Sequence, residues 1–204
     1  MNHLLTSPTL DDLIRLLKAW RFWMLGAMLG ALLSTAVYFI IPPPFRAKAT
    51  VNVDFNLEQA WPEDTDRQQF YYLERESRKL EEIAWSDEVM AQLSSKFSIP
   101  VEDLRGNKLQ LSQPAEAGWH FHANDADSQT ADELASSWAE AFVTKVQTDI
   151  KTGNINEFVK LEVTQSKSLP IERSIPLSGY LLAGSIGFLT LAVFAVLFIQ
   201  KKTK

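Results

Sequence analysis

The chain has 204 residues, 46% of them hydrophobic, with a formal net charge of −5 and no cysteine. The missing thiols exclude disulfides, thiolate metal centres and a cysteine nucleophile, and an acidic chain without a basic stripe argues against nucleic acid as a partner. Its length would suit one soluble domain, but the apolar residues are gathered into two runs.

Residues 1–21 form the first segment. Thr9 has the character of a helix N-cap with Asp12 three residues on, and Leu10, Leu13, Ile14, Leu17 and Trp20 share one helical face. Such a helix either lies along the inner leaflet of a membrane or extends the following apolar run downward. That run, Phe22–Ile41, reads FWMLGAMLGALLSTAVYFII and carries no charge. About 20 such residues cross a bilayer as a helix, so 22–41 is the first predicted transmembrane span. Gly26, Gly30 and Ser34 recur along it at every fourth position, a spacing that lets helix backbones approach closely. Ala47-Lys48-Ala49 resembles a signal-peptidase site, but the run is longer than a signal peptide and prolines intervene.

Pro42, Pro43 and Pro44 end the span where the backbone no longer has to satisfy its own hydrogen bonds. Beyond them Ala47, Ala49, Val51, Val53 and Phe55 alternate with Lys48, Thr50, Asn52 and Asp54, the pattern of a half-buried strand. Residues 42–176 therefore constitute one predicted domain. After an acidic loop, Trp61-Pro62-Glu63-Asp64, a helix carries Phe70, Leu73, Ser77, Leu80 and Ala84 on one stripe. Its opposite face carries Glu74, Arg75, Glu76, Arg78, Lys79, Glu81 and Glu82 as a predicted solvated surface. Ser86 caps a second helix with Val89, Met90, Leu93 and Phe97, ending near Pro100. Two short strands follow at Lys108–Gln113 and Trp119–Ala123. A long helix from Asp125 to Ile150 places Ala131, Leu134, Ala135, Trp138, Phe142 and Val146 on one face, and a last strand is expected at Val159–Gln165. Pro170 and Pro176 mark the return to the second span, Leu177–Ile199, which bears Gly179, Ala183 and Gly187 at four-residue spacing. Residues 200–204 are a basic tail.

Arg15, Lys18 and Arg21 precede the first span, and Lys201, Lys202 and Lys204 follow the second, which directs both ends to the cytoplasm. Residues 42–176 hold 14 Lys and Arg against 23 Asp and Glu, net −9, and are predicted to lie outside. The expected architecture is an α+β extracytoplasmic domain, a small mixed sheet with packed helices, between two transmembrane helices. Its first and last strands are expected to pair and so tie the spans together. His120 and His122 fall on one face of a strand with Trp119 and Phe121 on the other; as solvent-facing residues they need no metal to explain them. The sequence assigns no catalytic, cofactor-binding or metal-ligating residue, and no enzymatic activity is expected.

In chain order, "DDLIRLLKAWRFWMLG", "PPPFRAKATVNV", "SDEVMAQLSSKFSIPVEDLRG", "ADSQTADELASSWAEAFV" and "SLPIERSIP" before a glycine-containing span resemble the polysaccharide chain-length determinant family. These are the Wzz-like polysaccharide co-polymerases, which include the transmembrane modulators of capsule tyrosine kinases. The resemblance runs over nearly the whole chain. It implies a bacterial inner-membrane protein without enzymatic activity, assembled as a homo-oligomer with a polysaccharide polymerase. Its role would be to influence the length of O-antigen, capsule or exopolysaccharide. The chain departs from the family pattern in keeping only Pro170 and Pro176 in the closing motif, with Arg173 between them. It also lacks room for a long outer helical extension or a fused kinase. Two other roles stay open. One is activation of a separate cytoplasmic tyrosine kinase through Lys201–Lys204; the other is an extracytoplasmic sensor, for which the short cytoplasmic ends offer no signalling domain.

Overall fold

A computed structural model describes residues 10–56, 66–113, 118–165 and 171–199. It divides into two units, Pro44–Ser174 and the flanking Met1–Pro43 with Ile175–Lys204. Thr9, the acidic loop at residues 61–64, Pro170 and residues 200–204 lie outside the described residues.

The Pro44–Ser174 unit is mixed α+β and is built on one small antiparallel sheet. Strand β1 (Phe45–Asp54) is central because its alternation gives it one fully apolar face: Ala47, Ala49 and Val51 are buried. It pairs on one side with β3 (Trp119–Asp125), Lys48 opposite His122 and Thr50 opposite His120. The edge strand β2 (Leu109–Ser112) lies beyond β3. On the other side β1 pairs with β4 (Lys160–Gln165), across a register shift at Thr50/Val51, and with the two-residue β5 (Glu172–Arg173). The expected pairing of first and last long strands is thus present. The sheet is antiparallel throughout, where a mixed one was expected, and β5 adds a contact that composition did not foreshadow. Phe45 faces Arg173 in register, the Ser174 N–H donates to the Pro44 carbonyl at 2.8 Å, and the Arg173 guanidinium lies 3.8 Å from the Phe45 ring centre. The two chain ends of this unit are therefore joined in one ladder.

Helix α5 (Ser128–Lys151) covers the apolar face of the sheet. It begins three residues later than the periodicity suggested, because Asp125 belongs to β3 and Asp127 is the cap, accepting from the Thr130 N–H at 2.8 Å. Its end is a Schellman turn: Gly153, at φ 77°, donates to the Ile150 carbonyl, and Asn154 donates to that of Asp149. Helices α3 (Asp66–Ala84) and α4 (Asp87–Phe97) pack against α5. Ser86 caps α4 through the Val89 N–H as expected. A short helical turn, Val101–Asp103, runs on as a π-helix, Leu104–Lys108, into β2.

The core between sheet and helices is aromatic. Phe121, Trp138 and Phe142 are fully buried, with the Phe121 and Trp138 rings edge-to-face at 4.9 Å and Trp119 stacked on Phe142 at 5.6 Å. The buried Trp138 indole N–H donates to the Ala84 carbonyl at 2.8 Å, which seats α3 on α5 and leaves no orphan donor. On α3 the buried stripe is Tyr72, Glu76, Leu80 and Ala84, while Leu73 and Ser77 are only half-buried. This corrects the sequence expectation, which shared Leu80 and Ala84 but placed Glu76 on the solvated face.

The second unit contains α1 (Leu10–Lys18), α2 (Trp20–Ile40) and α6 (Leu177–Ile199). A break at Ala19 separates α1 from α2, and the Trp23 indole donates across it to the Leu16 carbonyl at 3.1 Å. The stripe Leu10, Leu13, Ile14, Leu17 and Trp20 is exposed along its length.

Candidate functional site

The two long helices are each apolar enough to cross a membrane, with only 6% of the first and 11% of the second buried. A core helix of a water-soluble domain would be largely buried. Here Leu25, Leu32, Phe39, Leu182 and Leu191 all stand more than 60% exposed, an apolar girdle that asks for a hydrocarbon surround.

Along the α2–α6 contact the small residues meet backbone directly. A Cβ at Gly26 would lie 2.8 Å from the Ala192 Cβ. One at Gly30 would run into the Gly184 carbonyl and stand 2.7 Å from the Phe188 Cβ, and one at Gly184 would lie 2.6 Å from the Ser34 Cβ. Of the expected residues, then, Gly26, Gly30 and Ser34 are brought to the contact. On α6 the contacting row is Gly184, Phe188 and Ala192, displaced by one position from Gly179, Ala183 and Gly187. Gly187 has nothing within 4 Å of where a side chain would begin, and Gly179 touches only Ile175 and Pro176 just before it. Gly179 and Ala183 instead line an apolar recess of about 430 Å³ beside the contact, with Val37 and Tyr180. The Tyr38 and Tyr180 rings meet edge-to-face at 5.3 Å. Pro42, Pro43 and Pro44 lie between the end of α2 and β1, and Pro176 immediately precedes α6.

In the Pro44–Ser174 unit the sheet face turned away from α5 carries the groups with unusual chemistry. Alternation puts Arg46, Lys48 and Thr50 of β1 beside Asn124, His122 and His120 of β3. The Arg46 guanidinium is held by neutral amides, donating to Asn124 Oδ1 and Gln110 Oε1 at 3.1 Å each. No carboxylate pairs with Arg46 or Lys48 among the described residues. Thr50 Oγ1 and His120 Nδ1 share a hydrogen bond at 3.1 Å.

His120 and His122 are half-buried rather than solvent-facing as expected, because β3 is flanked on both sides, Thr50 and Lys48 standing opposite them on β1 and Ser112 and Gln110 on β2. Burial, then the positive charges of Arg46, His120 and Lys48, hold the His122 imidazole down to about 4, so it is neutral near pH 7. His120 is lowered by burial and by Lys48. The Nδ1 of His122 is buried and has no hydrogen-bond partner among the described residues. The two rings stand 6.1 Å apart, and no third His, Cys, Asp or Glu joins them in a metal-binding group among the described residues.

Sequence reasoning passed over Arg46 and Lys48, although the alternation that buries Ala47 and Ala49 already assigned them to a common face. Gly184 had no signal beyond lying next to Ala183. A second cleft, about 720 Å³, opens at the β4 edge between Asn52, Asp54, Lys160 and Glu162 and the α5 residues Gln147 and Ile150. No protein-family model and no curated protein matches the chain.

Proposed function

We propose that this protein is a membrane-anchored regulator of surface polysaccharide chain length, acting without catalysis as an oligomeric scaffold beside a polymerase. The observation that carries the reading is the ladder joining the two chain ends of the folded unit, Phe45–Arg46 with Glu172–Arg173 and Ser174 with Pro44. Each end continues within a few residues into a helix apolar enough to cross a bilayer. A domain whose entry and exit are locked together is a rigid body tethered at both ends to apolar helices. That is a device for positioning partners, and it agrees with the resemblance to the polysaccharide co-polymerases.

Basic residues flanking both helices favour cytoplasmic ends and an acidic domain on the extracytoplasmic side of a bacterial inner membrane. The tight Gly30–Gly184 approach gives each subunit a stiff stem. Deleting the gene should change the modal length of the polysaccharide ladder on a gel. An unaltered ladder in cells that still express their polymerase normally would reject the proposal.

A further inference from the structure

We propose that the face of the sheet turned away from α5, at Arg46, Lys48, His120 and His122, binds an acidic glycan through its carboxylate groups. The inference rests on the preceding reading of the protein as a polysaccharide regulator and names the chemistry of the chain it would handle.

Residues 42–176 carry a net charge of −9, so the domain as a whole repels a polyanion. The stretch of this face at Arg46 and Lys48 is locally basic. Arg46 and Lys48 lie two residues apart on one strand, about 7 Å, and neither is neutralised by a carboxylate among the described residues. Glu172, opposite Arg46 on β5, is exposed and forms no ion pair with it, and the other acids of the face, Asp54 and Glu162, gather at the far end of β1.

Asn124 and Gln110 hold the guanidinium flat by accepting from Nε and one terminal nitrogen, which leaves its remaining donors for an incoming oxygen. The Nδ1 of His122, which has no hydrogen-bond partner among the described residues, adds a buried polar atom beside them. Two separated single charges among amides, hydroxyls and imidazoles suit a polymer with one carboxylate per sugar. A nucleic acid would call for stacking surfaces, and among the described residues this face bears no Trp, Tyr or Phe.

The test uses the full chain in nanodiscs of neutral phosphatidylcholine, titrated calorimetrically with a defined oligogalacturonate and with a neutral dextran oligomer of equal length. Oligogalacturonate should bind with an affinity that falls as salt rises, and dextran should not. Affinity should drop about tenfold in R46Q/K48Q. K48Q alone, which removes a side chain that hydrogen-bonds to no described residue, should lose several-fold and keeps the test decisive if the double variant misfolds. E81Q/E82Q on α3 should keep the wild-type affinity. The proposal is overturned by absence of oligogalacturonate binding at low salt, by equal binding of dextran, or by unchanged affinity in the variants. It is also overturned if the face proves to be occupied by a second copy, seen as self-association lost in R46Q/K48Q without any glycan binding. None of these failures touches the gene-deletion ladder, which tests the functional reading separately.

Discussion

Glu76 sits in a run of charged residues, yet its side chain is 1% exposed. One carboxylate oxygen accepts from Arg75 and Lys79 at 3.2 and 3.1 Å, while the other is buried with no hydrogen-bond partner among the described residues. Both cations reach water, so removing the carboxylate strands no buried charge. Glu76→Met, which preserves volume, is therefore expected to leave the melting temperature unchanged or raise it, because a partly satisfied buried ion pair seldom recovers its desolvation cost. A loss of more than about 1 kcal/mol in denaturant unfolding would show that the pairs stabilise the fold after all. His122 makes the opposite kind of prediction. Its folded pKa, about 4, lies below the ordinary value of 6.5, so between those values the unfolded chain takes up more protons than the folded one. Stability is complete above pH 6.5 and declines as pH falls toward 4. The charged groups facing it are Arg46 and Lys48 on β1 and His120 on β3, with neutral Gln110 on β2, and none offers a counter-charge. Thermal melts across that range should fall less steeply for His122→Gln than for the wild type.

Among the elements, α5 depends most on its ends. Asp127 accepts from both the N–H and the hydroxyl of Thr130, at 2.8 and 2.9 Å. Asp127→Ala should lower the midpoint of chemical denaturation, because the Thr130 N–H loses its cap. Ser86→Ala should cost less, since its bond to the Val89 N–H is 3.4 Å long. The helix pair α2–α6 makes a sharper prediction because its glycines are not equivalent. Gly30→Leu must force α2 away from Gly184 and should lower thermal stability in micelles, whereas Gly187→Leu, which enters open space within this chain, should not. Equal effects at the two positions would contradict the observed packing. The four-residue spacing of small side chains was plain in both helices. Which row of α6 meets α2 was not, because the row in contact, Gly184, Phe188 and Ala192, is bulkier than the Gly179, Ala183 and Gly187 row beside it, and only the crossing selects between them.

At the scale of the whole molecule, a short pairing joins the two chain ends of the Pro44–Ser174 unit. Arg173→Ala removes the cation over the Phe45 ring, 3.8 Å away, and should destabilise the unit by about 1 kcal/mol while leaving β1 paired with β3 and β4. If rigidity of this junction matters for length control, the variant should also broaden the polysaccharide ladder without changing membrane insertion. Many large apolar side chains of α2 and α6 stand exposed among the described residues, and both helices are long and apolar enough to cross a bilayer.

Strand alternation at Phe45–Asp54, the cap at Ser86, the aromatic row on α5 and both apolar helices were legible in the sequence because each rests on a local period or a local hydrogen bond. Four other features required the folded chain: the burial of Glu76, the half-burial of His122, the use of Gly184 and the pairing of β5 with β1. Each joins residues distant in sequence, and local periodicity is blind to which neighbour arrives. The basic face stands between the two cases. Alternation assigned Arg46 and Lys48 to one side of a strand, and the antiparallel register then brought His120 and His122 beside them.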